Sequence, residues 1–319
     1  LINAQDLLIK KASKVPFSMY DAFTEVPYSG SQAAIVLNAS DISIQNRVRI
    51  AREIGAPATA FVSAINHNRI KVQFFSTVME LPMCGHGTVC LITHLVAQEL
   101  LPCVGDGWQK AVLDLPKGEA KVERRRTKAG RVEVMLDVAE PRFAGVNLNL
   151  AELAGILGVG IGDISNELPP EVATGDFIHL CLPMCDLAVM RELQPDFSAL
   201  AKFCVSNGLE TVATFSTEAI DQTCDVHVRD FCPAVGVAES AAAGTTNAAL
   251  STYLLQKGLV QPGEDGNLQV QAEQGIELGR PSRVTTRIKT QGGNIVRLQV
   301  GGVASLIIEG MLNLNLEAL

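Results

Sequence analysis

From Val15 onward the chain alternates hydrophobic and polar residues in short runs closed by turn residues, the period of half-buried strands, over 16–23, 33–37, 60–63 and 69–75. The period becomes helical over 42–54, after the cap-forming Ser40-Asp41 pair, and Gly55 with Pro57 stops it. The stretch 80–88 reads as a loop feeding a buried apolar helix at 89–101. An antiparallel set follows at 111–115, 120–125 and 131–138, then a short helix at 150–157 ended by glycine. The second half predicts a strand at 178–183, a helix at 197–207, strands at 211–216 and 225–231, a loop at 232–246 and a helix at 247–257. Strands at 268–274, 283–290, 295–301 and 304–310 are separated by Gly-rich turns.

Each half thus runs strands, a Gly-Thr loop, an apolar helix, then more strands. The repeat shows as Gly-His-Gly-Thr-Val-Cys-Leu at 85–91 and Gly-Thr-Thr-Asn-Ala-Ala-Leu at 244–250. The expectation is two similar α+β lobes, 15–128 and 129–319, with the last strand free to return to the first lobe and the two loops face to face.

With 319 residues, 47% hydrophobic and 19% charged, the chain can fill two substantial cores, which excludes disorder. A net charge of −8 disfavours nucleic acid as a partner. The one basic cluster, Arg124, Arg125, Arg126, Lys128 and Arg131, reads as a solvated hairpin tip. No apolar run approaches the roughly 20 residues of a bilayer span, so no membrane partner is expected. Residues 1–14 form an amphipathic prelude lacking the features of a secretory signal; a trimmed start and a cytoplasmic location are the expectations. Eight cysteines without a C-x-x-C pair disfavour a disulfide framework or a zinc ribbon, and no metal is expected.

The chemistry concentrates in the two loops. Gly85, Gly87 and Thr88 in one, and Gly244, Thr245 and Thr246 in the other, precede helices whose first N–H groups lack internal partners and attract carboxylates. Two such ends meeting would make a pocket for a small organic acid; simple capping by Thr88 and Thr245 is the plainer alternative. Cys84 stands where a helix dipole can lower a thiol pKa from about 8.5 toward neutrality and make it a usable base, unless it is only a buried structural thiol. His86, across one glycine, can orient the thiolate, hold a carboxylate or cap the helix. His67, His94, His179 and His227 read as structural. The chain carries no Gly-x-Ser-x-Gly elbow, phosphate loop or zincin motif, and Gly158-Val-Gly-Ile-Gly162 follows a helix rather than a strand, which rejects a nicotinamide site.

At these residues the sequence resembles the phenazine-biosynthesis PhzF-like family, within the diaminopimelate epimerase and proline racemase superfamily. The match runs through Asp21-Ala-Phe-Thr, Pro27-Tyr-Ser-Gly-Ser-Gln-Ala-Ala34, Ala51-Arg-Glu-Ile, Thr59-Ala-Phe-Val and Leu81-Pro-Met-Cys-Gly-His-Gly-Thr88. It resumes at Val228-Arg-Asp-Phe-Cys-Pro-Ala-Val-Gly-Val-Ala-Glu239, at 244–250, at Glu273-Gln-Gly-Ile-Glu-Leu-Gly-Arg-Pro281 and at Val300-Gly-Gly-Val-Ala304. The resemblance implies two lobes of the diaminopimelate epimerase fold, each a curled, mostly antiparallel sheet around a central helix, with the active site between them. It also implies cofactor-independent acid–base chemistry at carbon of a small amino or carboxylic acid, commonly in a homodimer.

Three departures matter. The glutamate that serves phenazine-pathway members as acid/base is Ala58 here. The acidic residue of the family's Glu-Asp pair is Ser240, leaving Glu239 alone. The second cysteine of the racemase branch is Ala243. What remains is Met83-Cys84-Gly85-His86-Gly87, similar to a first half-site of the racemase branch. One convincing base favours an isomerase, or a lyase, over a racemase, because a 1,3-proton shift or β-elimination needs one residue on one face. The expected site is Cys84 and His86 as catalytic groups, with Gly85, Gly87, Thr88, Glu239, Ser240, Gly244, Thr245 and Thr246 binding the substrate. A two-base epimerase or racemase with Glu239 opposite Cys84, a dehydratase, and a degenerate binding or scaffold protein are the alternatives.

Overall fold

The computed structural model describes residues 13–314; residues 1–12, which hold most of the amphipathic prelude, and 315–319 lie outside the described residues. The first half contains β1 (Ser13–Ala22), β2 (Ser31–Val36), α1 (Ile44–Ile54), β3 (Ala58–Asn66), β4 (Arg69–Phe75), β5 (Glu80–Leu81), α2 (Gly85–Ala97), β6 (Gln109–Leu115), β7 (Gly118–Arg126) and β8 (Val132–Asp137). Next come β9 (Arg142–Gly145), α3 (Leu150–Ile156), β10 (Glu171–Thr174), β11 (Ile178–Pro183), α4 (Leu187–Glu192), α5 (Phe197–Ser206), β12 (Thr211–Ser216), β13 (Val226–Cys232) and β14 (Val237–Ser240). The chain ends with α6 (Gly244–Gln256), β15 (Asn267–Gln274), β16 (Ser282–Gln291), β17 (Asn294–Gly302) and β18 (Ala304–Leu314).

Strand pairing repeats the internal duplication. The order β1-β2-β3-β4-β6-β7-β8 is paired antiparallel, parallel, antiparallel, parallel, antiparallel, antiparallel. The order β10-β11-β12-β13-β15-β16-β17 follows the same sequence of senses. The outer strands match as well: β18 pairs antiparallel with β1, and β9 with β10. β8 and β17 pair antiparallel and join the two sets. At that seam only glycine fits position 301, since a Cβ there would stand 1.8 Å from the Val134 carbonyl oxygen.

The α+β architecture expected from the sequence is therefore present, with a helix wrapped in each sheet. α2 is buried at every residue from Gly87 to Val96, and α6 at Gly244 and from Thr246 to Leu254. A helix apolar on all sides has no solvent face and must be central. Around α2, Val89, Leu91, Ile92 and Leu95 pack with Phe74, Ile35 and Ala58, and Val132, Val134 and Leu136 of β8 join the same core. Around α6, Leu250, Tyr253 and Leu254 pack with Phe215, Val228 and Val270.

Both central helices begin earlier than their apolar runs suggest, at Gly85 rather than 89 and at Gly244 rather than 247. The Gly-rich loops are helical first turns: the Thr88 amide donates to the Cys84 carbonyl at 2.9 Å and the Asn247 amide to that of Ala243 at 3.1 Å. α2 stops at Ala97 instead of 101, where the Leu100 and Leu101 amides turn back onto the Leu95 carbonyl. The stretch 232–246 expected as loop contains β14.

The basic cluster is not uniformly solvated. Arg124 is 1% exposed, and its guanidinium donates to the carbonyls of Pro102 and Lys110 and to Asn68 Oδ1, tying the β7 strand to the chain ahead of β6.

Candidate active site

The N-terminal tips of α2 and α6 face one another: a Cβ built on Gly85 would lie 3.9 Å from Gly244 Cα. The face-to-face loops expected from the repeat are present. Their caps differ, however. Cys84 itself is the N-cap of α2; its Sγ accepts the Gly87 amide at 3.3 Å, and the Thr88 hydroxyl turns inward to donate to the Cys84 carbonyl at 2.7 Å. Capping by Thr88 is thus replaced by capping through sulfur. Ala243 caps α6 and offers no side-chain acceptor, so the first amides of α6 carry the full positive end of the helix.

Cys84 is 6% exposed, and the His86 ring lies beside it, Nδ1 at 3.6 Å and Nε2 at 3.7 Å from Sγ. Gly87 leaves the sulfur its room, since a Cβ there would approach Sγ and the Phe74 ring to 3.0 Å. The expected acidification of the thiol is reversed. Burial pushes Cys84 up to about 12, and the Gly87 N–H offsets only part of the cost of desolvating a thiolate. Burial likewise lowers His86 to about 4. At neutral pH the resting pair is a thiol beside a neutral imidazole.

The second tip rests on polar groups that the sequence reading left out. Thr246 is buried and donates its hydroxyl to Asp230 Oδ2 at 2.8 Å. Asp230 is 1% exposed; burial raises its carboxyl to about 6 against hydrogen bonds from Thr246 and Thr211 that favour the anion. Thr211 also meets His179 Nδ1 at 2.8 Å, and burial lowers His179 to about 4. Gln274 braces the turn before α6: its Nε2 donates to the Ser240 carbonyl at 2.9 Å, and its Oε1 accepts from Asn247 Nδ2 at 2.8 Å. Ser240 and Thr245 are half-buried, and Gly244 is buried against Val300.

Glu239 does not stand free to meet substrate. Both of its oxygens are held by Arg229, Nε and Nη2 each at 2.9 Å, while Arg229 Nη1 donates to the carbonyls of Met190 and Leu193. This pair is buried, at 7% and 4% side-chain exposure, and locks β14 to β13 and to the end of α4. The signal that could have found these residues was present: β13 reads Val-His-Val-Arg-Asp-Phe-Cys and is buried along its whole length, so each charged residue on it needs an interior partner. His227 finds Glu273 at 2.7 Å and Glu277 at 3.0 Å in the same way.

Position 58, where the resemblance places the catalytic glutamate of phenazine-pathway members, is a fully buried alanine in the core around α2. Among the described residues all eight cysteines are free, and no helix is long and apolar enough to cross a membrane.

Comparison with known proteins agrees with this architecture. Residues 20–310 match the family model described as phenazine biosynthesis-like protein. An uncharacterised isomerase from Deinococcus radiodurans is 27% identical over 294 residues, covering 91% of this chain and 92% of its own. The trans-2,3-dihydro-3-hydroxyanthranilate isomerase of Pseudomonas chlororaphis is 26% identical over 291 residues, covering 90% and 95%. Among solved structures, a Bacillus anthracis phenazine biosynthesis protein of the PhzF family superposes with a TM-score of 0.84 at 23% identity, over 94% of this chain and 99% of that one. A hydroxyproline epimerase from Agrobacterium vitis superposes with a TM-score of 0.60 at 12% identity, over 96% and 94%. With the duplicated lobes and the matched span taken together, the chain belongs to the phenazine biosynthesis-like, PhzF-like isomerase family.

Proposed function

We propose that this protein is a cofactor-independent isomerase that relocates a proton on a small amino or carboxylic acid, with Cys84 as the acid/base group between the lobes. The observation that carries the reading is the position of one sulfur: it caps α2, touches the His86 ring, and sits where the α2 tip meets the α6 tip. The uncapped amides of Gly244, Thr245 and Thr246 suit a substrate carboxylate and oppose the charge that builds on it as carbon loses its proton. Such a donor is worth about 3–4 kcal/mol when well placed.

In the resting arrangement the sulfur is protonated. Parting of the lobes to admit substrate brings water to it and returns its acidity toward about 8.5, and the Gly87 amide and the field of α2 then favour the thiolate. The thiolate takes the proton from the carbon beside the carboxylate, and the thiol so formed gives it back two atoms along. His86, neutral in the resting arrangement, orients the sulfur or the substrate. The relative from Pseudomonas chlororaphis acts on trans-2,3-dihydro-3-hydroxyanthranilate; with Ala58 in place of the family glutamate, this chain would start such a shift from Cys84 instead. The same reading takes the working unit as a homodimer. It divides the lobes after β8 rather than at 128/129, with β18 in the first lobe, because β8 fills the core around α2 and β18 pairs with β1.

The test is a screen in deuterium oxide of trans-2,3-dihydro-3-hydroxyanthranilate, proline, hydroxyproline and diaminopimelate, followed by Cys84→Ala and Cys84→Ser on whatever substrate turns over. Loss of turnover with retained folding supports the reading, and unchanged turnover removes it. The burial-raised thiol favours a second reading, a binding protein that has lost catalysis. Carboxylate binding without deuterium exchange by the wild type selects that one.

A further inference from the structure

Away from the helix tips, the two halves of the chain build a concave site. Residues of β15, β16 and β17 that share one sheet face join Trp108 and Arg125 of the first half around a cavity of about 560 Å³. Cations dominate its charged lining: Arg125, Arg287, Lys289 and Arg297 against Asp265. The guanidiniums of Arg125 and Arg287 both lie over the Trp108 ring, 4.5 Å from its centroid. Four cations meet in this hollow, and the carboxylates nearest to them, Glu133, Glu123 and Asp137, are taken up by Arg125 and Arg297.

Their partners are unevenly shared. Arg125 is paired with Glu133 at 2.6 Å, and Arg297 with Glu123 at 3.0 Å and Asp137 at 2.8 Å. Gln299 takes further acceptor capacity of Glu123 and Asp137. Lys289 donates to the Asp265 carbonyl at 2.5 Å. Arg287 is different: its Nη1 is buried and has no hydrogen-bond partner among the described residues. A buried guanidinium nitrogen over an indole, with no acceptor from the protein among the described residues and other cations around the same cavity, matches the chemistry of an oxyanion.

We propose that this cavity is a binding site for a small polyvalent oxyanion of the polyphosphate or polycarboxylate class, with Arg287 as its central ligand, Lys289 and Arg297 beside it, and Trp108 as the platform that holds the guanidiniums. Arg287, whose Nη1 has no partner among the described residues, meets one anionic group, and the size of the cavity leaves room for a second beside Lys289. The site stands apart from Cys84 and does not depend on what Cys84 does.

Trp108 is the sole tryptophan of the sequence, so its emission reports on this cavity alone. The experiment titrates the full chain with pyrophosphate and, separately, with citrate, against sodium chloride at matched ionic strength, following tryptophan fluorescence and calorimetric heat. The expected result is saturable binding of at least one of the two, absent with chloride and weakened at least about tenfold by Arg287→Gln, the loss of charge-assisted hydrogen bonds to one group. Tighter binding of pyrophosphate assigns phosphoryl ligands, and tighter binding of citrate assigns carboxylates. Lys289→Gln, at a half-buried position, provides a second variant with the same expected direction should Arg287→Gln fail to fold. Equal responses to chloride and to both polyanions, or binding that neither substitution weakens, overturns the proposal.

Discussion

Replacing Glu239 by alanine separates a structural carboxylate from a second catalytic base. The substitution leaves Arg229 Nε and Nη2 without acceptors in a side chain only 7% exposed, while Nη1 keeps the Met190 and Leu193 carbonyls. Removing one partner of a buried ion pair strands the other charge at a cost of about 3–5 kcal/mol. At roughly 2 °C per kcal/mol for a chain of this size, the thermal midpoint falls by about 6–10 °C. Glu239→Gln keeps the shape and one oxygen, and the cost drops to about 1–3 kcal/mol. Chemical denaturation and calorimetry read the stability; the exchange rate of substrate hydrogen with solvent, measured well below both midpoints, reads the chemistry. A large stability loss with exchange within a few-fold of wild type fits the structural role. Wild-type stability with exchange reduced a hundredfold would refute it and restore a two-base epimerase.

Three further outcomes follow from the same geometry. Gly87→Ala forces a methyl to 3.0 Å from both Cys84 Sγ and the Phe74 ring, and overpacking of this kind costs about 1–3 kcal/mol by denaturant titration while displacing the sulfur enough to slow exchange. The Asp230 carboxyl, raised to about 6, stabilises the fold most when protonated below its unfolded value near 4, and that contribution is lost as pH rises through 6; Asp230→Asn should therefore gain stability at pH 7.5 and gain nothing at pH 3.5 in paired thermal melts. With its thiol held near 12, Cys84 in the ligand-free protein should alkylate with iodoacetamide at pH 7.5 more slowly than the exposed Cys185, as peptide mapping by mass spectrometry would show; faster labelling would mean that the sulfur is ionised at rest.

The architecture was legible because it repeats. Alternation located most strands, and the two Gly-Thr segments marked the central helices, although short apolar periods could not show that glycines would form helical first turns. That start depends on Cys84 Sγ and on backbone carbonyls as acceptors, features carried by conformation rather than composition. The thiol's acidity was misread for a related reason. A helix tip lowers a pKa only where its field exceeds the cost of desolvating the ion, and the depth of Cys84 is set by packing with Phe74 of β4 and by the opposing tip, neither of which local composition shows. Glu239 looked available because Arg229, ten residues away, is its partner only through the β13–β14 pairing. Asp230 and Gln274 carried a readable signal, polar residues within strands otherwise written for burial, yet their partners Thr246 and Asn247 emerge only when α6 is docked.

The central claim is that one sulfur carries one proton between two carbons. Its most direct measurement is a single turnover, in ordinary water, of a substrate labelled with deuterium at the bond to be broken, with the label located in the product by NMR. A monoprotic thiol can return the hydrogen it removed, so part of the label should appear at the new carbon on the same face, and Cys84→Ala should form no product. Complete loss of label with inversion at the original carbon, or turnover by Cys84→Ala at the wild-type rate, would contradict the account.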